Sequence, residues 1–152
     1  MGKKIAVVLG SKSDKEKLKV GFQLLDEMGV SYQLKVISAH RNPDKLRSYC
    51  KKIEKDKINL VIACAGLAAA LPGFMASYLN IPVIGVGLKG GMMDGLDSLF
   101  SIVSAPSGIG LASSGLGKSG FINAIIFALE IMGIADKASL EKVKKIKNKF
   151  KQ

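Results

Sequence analysis

The stretch "KIAVVLGSKSDKEKLKVGFQLLDEMG", residues 4–29, decides the fold. Ile5 to Leu9 are apolar without interruption, and Gly10 closes the run. A short continuous apolar run bounded by a turn signal reads as a strand buried on both faces. The period then changes. Leu18, Phe22, Leu25 and Met28 are spaced for one helical face. Ser13 or Asp14 can cap the start of that helix, and Gly29 can stop it.

The same alternation recurs down the chain. "VSYQLKVIS" (30–38) reads as a second strand, and "NPDKLRSYCKKIEKD" (42–56) as a helix with Asn42 as N-cap and Pro43 in its first turn. "INLVIACAG" (58–66) and "IPVIGVG" (81–87) are strands, with a helix through "LPGFMASYLN" (71–80) between them. "LDSLFSIVSA" (96–105) is helical and "GIGLASSG" (108–115) is a short fifth strand. "KSGFINAIIFALEIMG" (118–133) is an apolar helix. The tail places Leu140, Val143, Ile146 or Lys147, and Phe150 near one stripe among lysines. This C-terminal helix, about residues 139–150, is expected to dock on its own chain or on a neighbouring subunit of an oligomer. No linker, repeat or low-complexity tract interrupts residues 1–152, so the chain reads as a single domain. Strand–helix alternation predicts an α/β fold, a parallel sheet with helices on both faces.

Composition narrows the classes. The chain of 152 residues is 48% hydrophobic and 23% charged, the balance of a globular domain. No apolar run reaches the length of a membrane span, and "MGKKIAVVLG" is too short a run for a signal peptide and reads as the first strand. Gly2 lacks the Ser or Thr that a myristoylation pattern needs at position 6. Cys50 and Cys64 form no ligand pattern, so no metal site is expected; they read as small buried apolar residues of a cytoplasmic protein. The net charge of +11 raises a nucleic-acid partner. Scattered lysines, two arginines and 6% aromatics speak against one, and the surface reads as solvated lysine. Such a positive field also attracts a small phosphorylated substrate.

In open parallel sheets, ligands bind beyond the carboxyl ends of the strands. Five loops fall there: 10–14, 38–42, 64–73, 87–95 and 113–120. In the first, Gly10 permits a tight turn, Ser11 and Ser13 offer hydroxyls, and Asp14 a carboxylate, a set suited to a phosphate or a sugar hydroxyl and equally to a helix cap. It is not a dinucleotide fingerprint, which needs two further glycines. The second, "SAHRN", holds Ser38, Ala39, His40, Arg41 and Asn42. His40 is the chain's only histidine. An imidazole exchanges protons near neutral pH, and a guanidinium forks onto a phosphate. In the third, Gly66 and Ala68–Ala70 let a ligand approach the backbone, or form a tight helix entry leading into Leu71. Asp94 and Asp97 read as caps rather than a metal pair. Ala112 to Ser119, "ASSGLGKS", mimics a P-loop, but its first glycine is alanine and no apolar strand ends in an Asp for magnesium. Its backbone N–H groups still suit a substrate anion.

Taken together, "GSKSD", "SAHRNP", "AGLAAALPG", "PVIGVG", "GLDSLFSIVSAPSGI" and "GKSGFINA" resemble, in order and spacing, the N5-carboxyaminoimidazole ribonucleotide mutase and aminoimidazole ribonucleotide carboxylase family of purine biosynthesis. The resemblance runs from about Lys4 to Met132. It implies a three-layer α/β/α sandwich around a flavodoxin-like parallel sheet of about five strands, assembled as an octamer. It implies an imidazole ribonucleotide substrate bound through Ser11, Asp14 and Arg41, with Gly10, Ser13, Ser38, Ala39, Gly66, Ala68, Ala69, Ala70 and Leu71 around it. His40 matches the proton-transfer residue. The implied mutase releases carbon dioxide from the substrate's carbamate nitrogen and holds it in a closed pocket. The ring C4 attacks it, and His40 removes the C4 proton; no metal or organic cofactor takes part. An ATP-dependent carboxylating synthetase is the implied functional partner.

The chain also departs from the mutase pattern. Where mutases read "GGAAHLPG", Ala70 replaces the histidine and Leu67 a glycine, while Gly87 replaces a proline. "SAHR" sides with the mutase class; the carboxylase class reads "SAHK" and lacks the second histidine. The alternatives are a carboxylase using free carbon dioxide and, more distantly, a nucleotide-binding module without turnover.

Overall fold

The structure, a computed structural model, describes residues 4–151. Gly2, and with it the reading of the extreme N-terminus, lies outside them. Five strands, β1 (Ile5–Leu9), β2 (Tyr32–Val36), β3 (Leu60–Gly66), β4 (Val83–Leu88) and β5 (Ala112–Leu116), form one parallel sheet in the order β2-β1-β3-β4-β5. Between them run α1 (Asp14–Lys17), α2 (Lys19–Glu27), α3 (Pro43–Lys55), α4 (Ala70–Tyr78) and α5 (Leu96–Val103), and α6 (Gly117–Gly133) and α7 (Lys137–Lys149) follow. This strand order is the flavodoxin-like one.

The layers follow from the pleat. Alternate side chains of a strand face opposite sides of the sheet. Ile5, Val7, Leu9, Leu60, Ile62, Cys64, Ile84, Val86 and Leu88 face one side and pack with α2, α6 and α7. Ala6, Val8, Val61, Ala63, Ala65 and Val83 face the other and pack with α3, α4 and α5. The first crossover, β1 to β2, runs opposite to the later ones. A right-handed crossover travelling the other way puts its helix on the other face. The reversal falls between β1 and β3, the switch point where open α/β sheets leave a crevice.

Leu18, Phe22 and Leu25 are buried and Met28 packs against the same core, as their spacing predicts. The helix is broken at Leu18, whose φ of −107° leaves the helical range. Gly29, at φ +59°, ends it, and Val30 N–H donates to the Leu25 carbonyl. Neither Ser13 nor Asn42 caps with its side chain. β5 starts at Ala112 rather than Gly108, and its pairing with β4 slips between Gly85 and Gly87. Gly115, at φ +99°, supplies the conformation such an irregularity needs.

The C-terminal stripe docks on its own chain. Val143 and Ile146 are buried in the core beside α6, and Leu140 sits where a side chain on Gly133 would stand. Lys142 Nζ donates to the carbonyls of Met28 and Gly29, tying α7 to the end of α2. Lys147 pairs with Glu130 and Lys149 with Glu27. Phe150 remains exposed. Cys50 and Cys64 are buried free thiols on opposite faces of the sheet. Among the described residues, no helix is long and apolar enough to cross a membrane.

Candidate functional site

At the switch point the loops after β1, β2, β3 and β4 enclose a cavity of about 1000 Å³. It brings together all thirteen residues singled out from the sequence: Gly10, Ser11, Ser13, Asp14, Ser38, Ala39, His40, Arg41, Gly66, Ala68, Ala69, Ala70 and Leu71.

Each wall has its own chemistry. After β1, Gly10 N–H donates to the Cys64 carbonyl, which holds the turn against β3. The Asp14 carboxylate turns back and accepts the Ser11 N–H at 3.0 Å. Asp14 is almost wholly buried, with Lys17 Nζ 3.6 Å from its other oxygen. The hydroxyls of Ser11 and Ser13 lie 3.0 Å apart and exposed. Asp14 thus braces a turn that presents two hydroxyls and, among the described residues, is the only carboxylate on the cavity.

After β2, Asn42 N–H donates to the Ser38 carbonyl at 2.9 Å and Arg41 N–H to the Ser38 hydroxyl at 3.4 Å. Residues 38–42 therefore form a closed turn, with Ala39 buried beneath and His40 and Arg41 exposed above. Pro43 then starts α3 and fixes where the turn ends.

After β3, the backbone is strained. Leu67 and Ala69 hold φ values of +54° and +39°, in the left-handed region that non-glycine residues rarely occupy. Ala69 N–H donates to the Gly66 carbonyl at 3.0 Å. Gly66, Leu67, Ala68, Ala69, Ala70 and Leu71 give this wall no polar side chain. It is a small, apolar surface beside a cationic one.

The sequence reading missed Lys12, Lys17, Lys45, Lys89, Gly90 and Gly91, which also line the cavity. Lysine is so frequent in this chain that no single one stood out. The loop 87–95 falls at the edge the sequence predicts, but none of its residues is among the expected site residues. The loop 113–120 does not line the cavity. β5 is the outermost strand, and Gly117 enters α6 at once. Gly120 also packs so closely on the Gly115 backbone that a Cβ would stand 2.6 Å from its carbonyl carbon. The loop is closed on itself rather than arched over a phosphate. Gly87 is likewise explained by packing, since a Cβ there would meet Leu116 at 2.6 Å and the Ser98 hydroxyl at 2.7 Å. Among the described residues no group of three His, Cys, Asp or Glu side chains forms a metal site.

A family model described as AIR carboxylase matches residues 4–152. The chain belongs to the AIR carboxylase family. It is 41% identical over 145 residues to an N5-carboxyaminoimidazole ribonucleotide mutase of Vibrio parahaemolyticus, covering 95% of this chain and 90% of that protein. It is 43% identical over 142 residues to the mutase of Saccharolobus solfataricus, covering 93% and 89%. The crystal structure of Treponema denticola PurE superposes with a TM-score of 0.84 at 27% identity, covering 95% of this chain and 89% of that one. The family is enzymatic, so this AIR carboxylase family member is an enzyme of purine biosynthesis.

Proposed function

We propose that the chain is an N5-carboxyaminoimidazole ribonucleotide mutase, producing 4-carboxy-5-aminoimidazole ribonucleotide. One observation carries the reading beyond kinship: the chain's only imidazole stands exposed on a closed strand-end turn that lines the same cavity as a cationic, hydroxyl-bearing wall and a small apolar one.

The chemistry follows from that contrast. Arg41 and the hydroxyls of Ser11 and Ser13 bind the phosphate and ribose, with Asp14 bracing their turn. The ring then lies toward Gly66 and Ala68–Ala70. His40, as imidazolium, gives a proton to the nitrogen as its bond to the carboxylate carbon breaks. Carbon dioxide is held against the alanine wall, where no side chain competes for it. The C4 carbon attacks it, and neutral His40 removes the C4 proton. The imidazolium is regenerated, so the cycle balances without an external acid or base. General acid–base transfer of this kind contributes about 10²–10⁴-fold, and confinement of carbon dioxide adds a proximity term.

The reading carries with it a cytoplasmic homo-octamer, supplied by an ATP-dependent synthetase that makes the carbamate. Exposed apolar side chains on α5 and the loop before it, among them Met93, Leu96, Phe100 and Val103, support a face covered by other subunits.

A second reading rests on one residue. Ala70, at the end of the apolar wall, stands where the mutase pattern has histidine, which favours a carboxylase drawing on free carbon dioxide. Ultraviolet-monitored turnover decides between them. Product from the N5-carbamate without added bicarbonate is the mutase result. Product only from aminoimidazole ribonucleotide, rising with dissolved carbon dioxide, is the carboxylase result. Binding without product from either substrate overturns both.

A further inference from the structure

The cations of the cavity are unevenly placed. The strand order sets the loops side by side as β2, β1, β3, β4. Arg41 and Lys45 follow β2, Lys12 and Lys17 follow β1, and no charged side chain follows β3. Lys89, directly after β4, stands alone on the far side. Neighbouring strands lie about 4.8 Å apart, so the end of β4 is roughly 10 Å from that of β1.

Lys89 is fixed beside the apolar loop. Gly66 pairs with Leu88 in the sheet, so Leu67 and Lys89 are the first residues beyond that pair. Gly90 and Gly91 turn the chain there with φ values of +129° and +77°. A Cβ on Gly91 would lie 2.7 Å from both Leu67 Cδ2 and Asp97 Oδ2, so the two loops are packed together. Among the described residues Lys89 forms an ion pair with Asp94 at 3.9 Å, with both side chains largely exposed. Such a pair holds weakly, and the ammonium is free to turn to a ligand.

A ligand seated here with its phosphate on the β1 and β2 side presents its other end to the β3 and β4 side. On the proposed function, that end carries a carboxylate. We infer that Lys89 binds this carboxylate, on the carbamate before transfer and on C4 after it, and so distinguishes carboxylated from uncarboxylated nucleotide. It is a binding and specificity residue on the wall that otherwise has no polar side chain.

The inference rests on the proposed function, and calorimetry separates the two. Affinities are measured for 4-carboxy-5-aminoimidazole ribonucleotide and for aminoimidazole ribonucleotide, with the unaltered chain, Lys89→Gln and Lys89→Arg. Loss of one charge-assisted contact predicts an affinity for the carboxylated nucleotide about tenfold lower in Lys89→Gln, with the uncarboxylated one within about twofold. Lys89→Arg restores most of the loss. Equal weakening of both nucleotides, or of neither, overturns the role of Lys89 and leaves the proposed function standing. An unaltered chain that binds neither nucleotide overturns both.

Discussion

The Asp14 carboxylate accepts the Ser11 N–H at 3.0 Å from a side chain only 6% exposed. A carboxylate so far out of water and so close to a strand end is there to hold the turn. Asp14→Ala removes the brace, and Ser11 and Ser13 lose their fixed spacing. We expect a stability loss of about 1–2 kcal/mol in urea unfolding, with weaker nucleotide binding, because a partly buried donor is left unpaired. Asp14→Asn keeps an acceptor oxygen at the same place and recovers most of the stability.

The packing of α2 on α6 is a sharper test of the fold. A Cβ on Gly21 would stand 2.3 Å from the Phe121 ring, which is fully buried and 5.0 Å from the ring of Phe22. Phe121 cannot retreat, because its neighbour Gly120 is already against the Gly115 backbone. Gly21→Ala therefore loses about 1–2 kcal/mol of unfolding free energy, overpacking outweighing the roughly 1 kcal/mol alanine gains in helix propensity.

How far the sequence alone reaches is visible in these residues. The runs around Ile5–Leu9, Leu60–Gly66 and Val83–Leu88 show as strands because both their faces are buried. The loops at their ends show as a site because parallel topology gathers them at one edge. The break at Leu18, the late start of β5 and the left-handed Leu67 and Ala69 were not legible. Each is a tertiary compromise that local propensity does not encode. Lys89 was hidden for another reason: among so many lysines, only its placement opposite the other cations marks it.

The two thiols report on the core. Burial, aided by the charge of Glu54, pushes Cys50 up from 9.0 to about 11. Burial pushes Cys64 up as well, with Asp14 adding to it. Both react slowly with a disulfide reagent at pH 8 until the chain is unfolded. A folded-state value above the unfolded one favours the protonated fold. The stability from Cys50 is thus whole below about pH 9 and falls as pH rises through about 11. In Cys50→Ala that part of the alkaline loss is absent.

Asp136 works in the opposite direction. Its carboxylate accepts from the Ser139 hydroxyl at 2.8 Å and the Ala138 N–H at 3.1 Å, capping α7. These bonds, led by that of Ser139, hold it below its ordinary value of 3.8. The stability it adds is present above that value and is lost as pH falls through the lowered one. Hydrogen exchange in α7 quickens first in acid, and Asp136→Ala shows the same fast exchange at neutral pH.

The central claim is that His40 moves the proton while its neighbours hold the nucleotide, and His40→Asn tests it directly. The measurement is turnover of the N5-carbamate alongside the affinity for 4-carboxy-5-aminoimidazole ribonucleotide. The account predicts unchanged affinity and a kcat lower by about 10²–10⁴-fold. A variant that binds normally and still turns over at close to the original rate contradicts it.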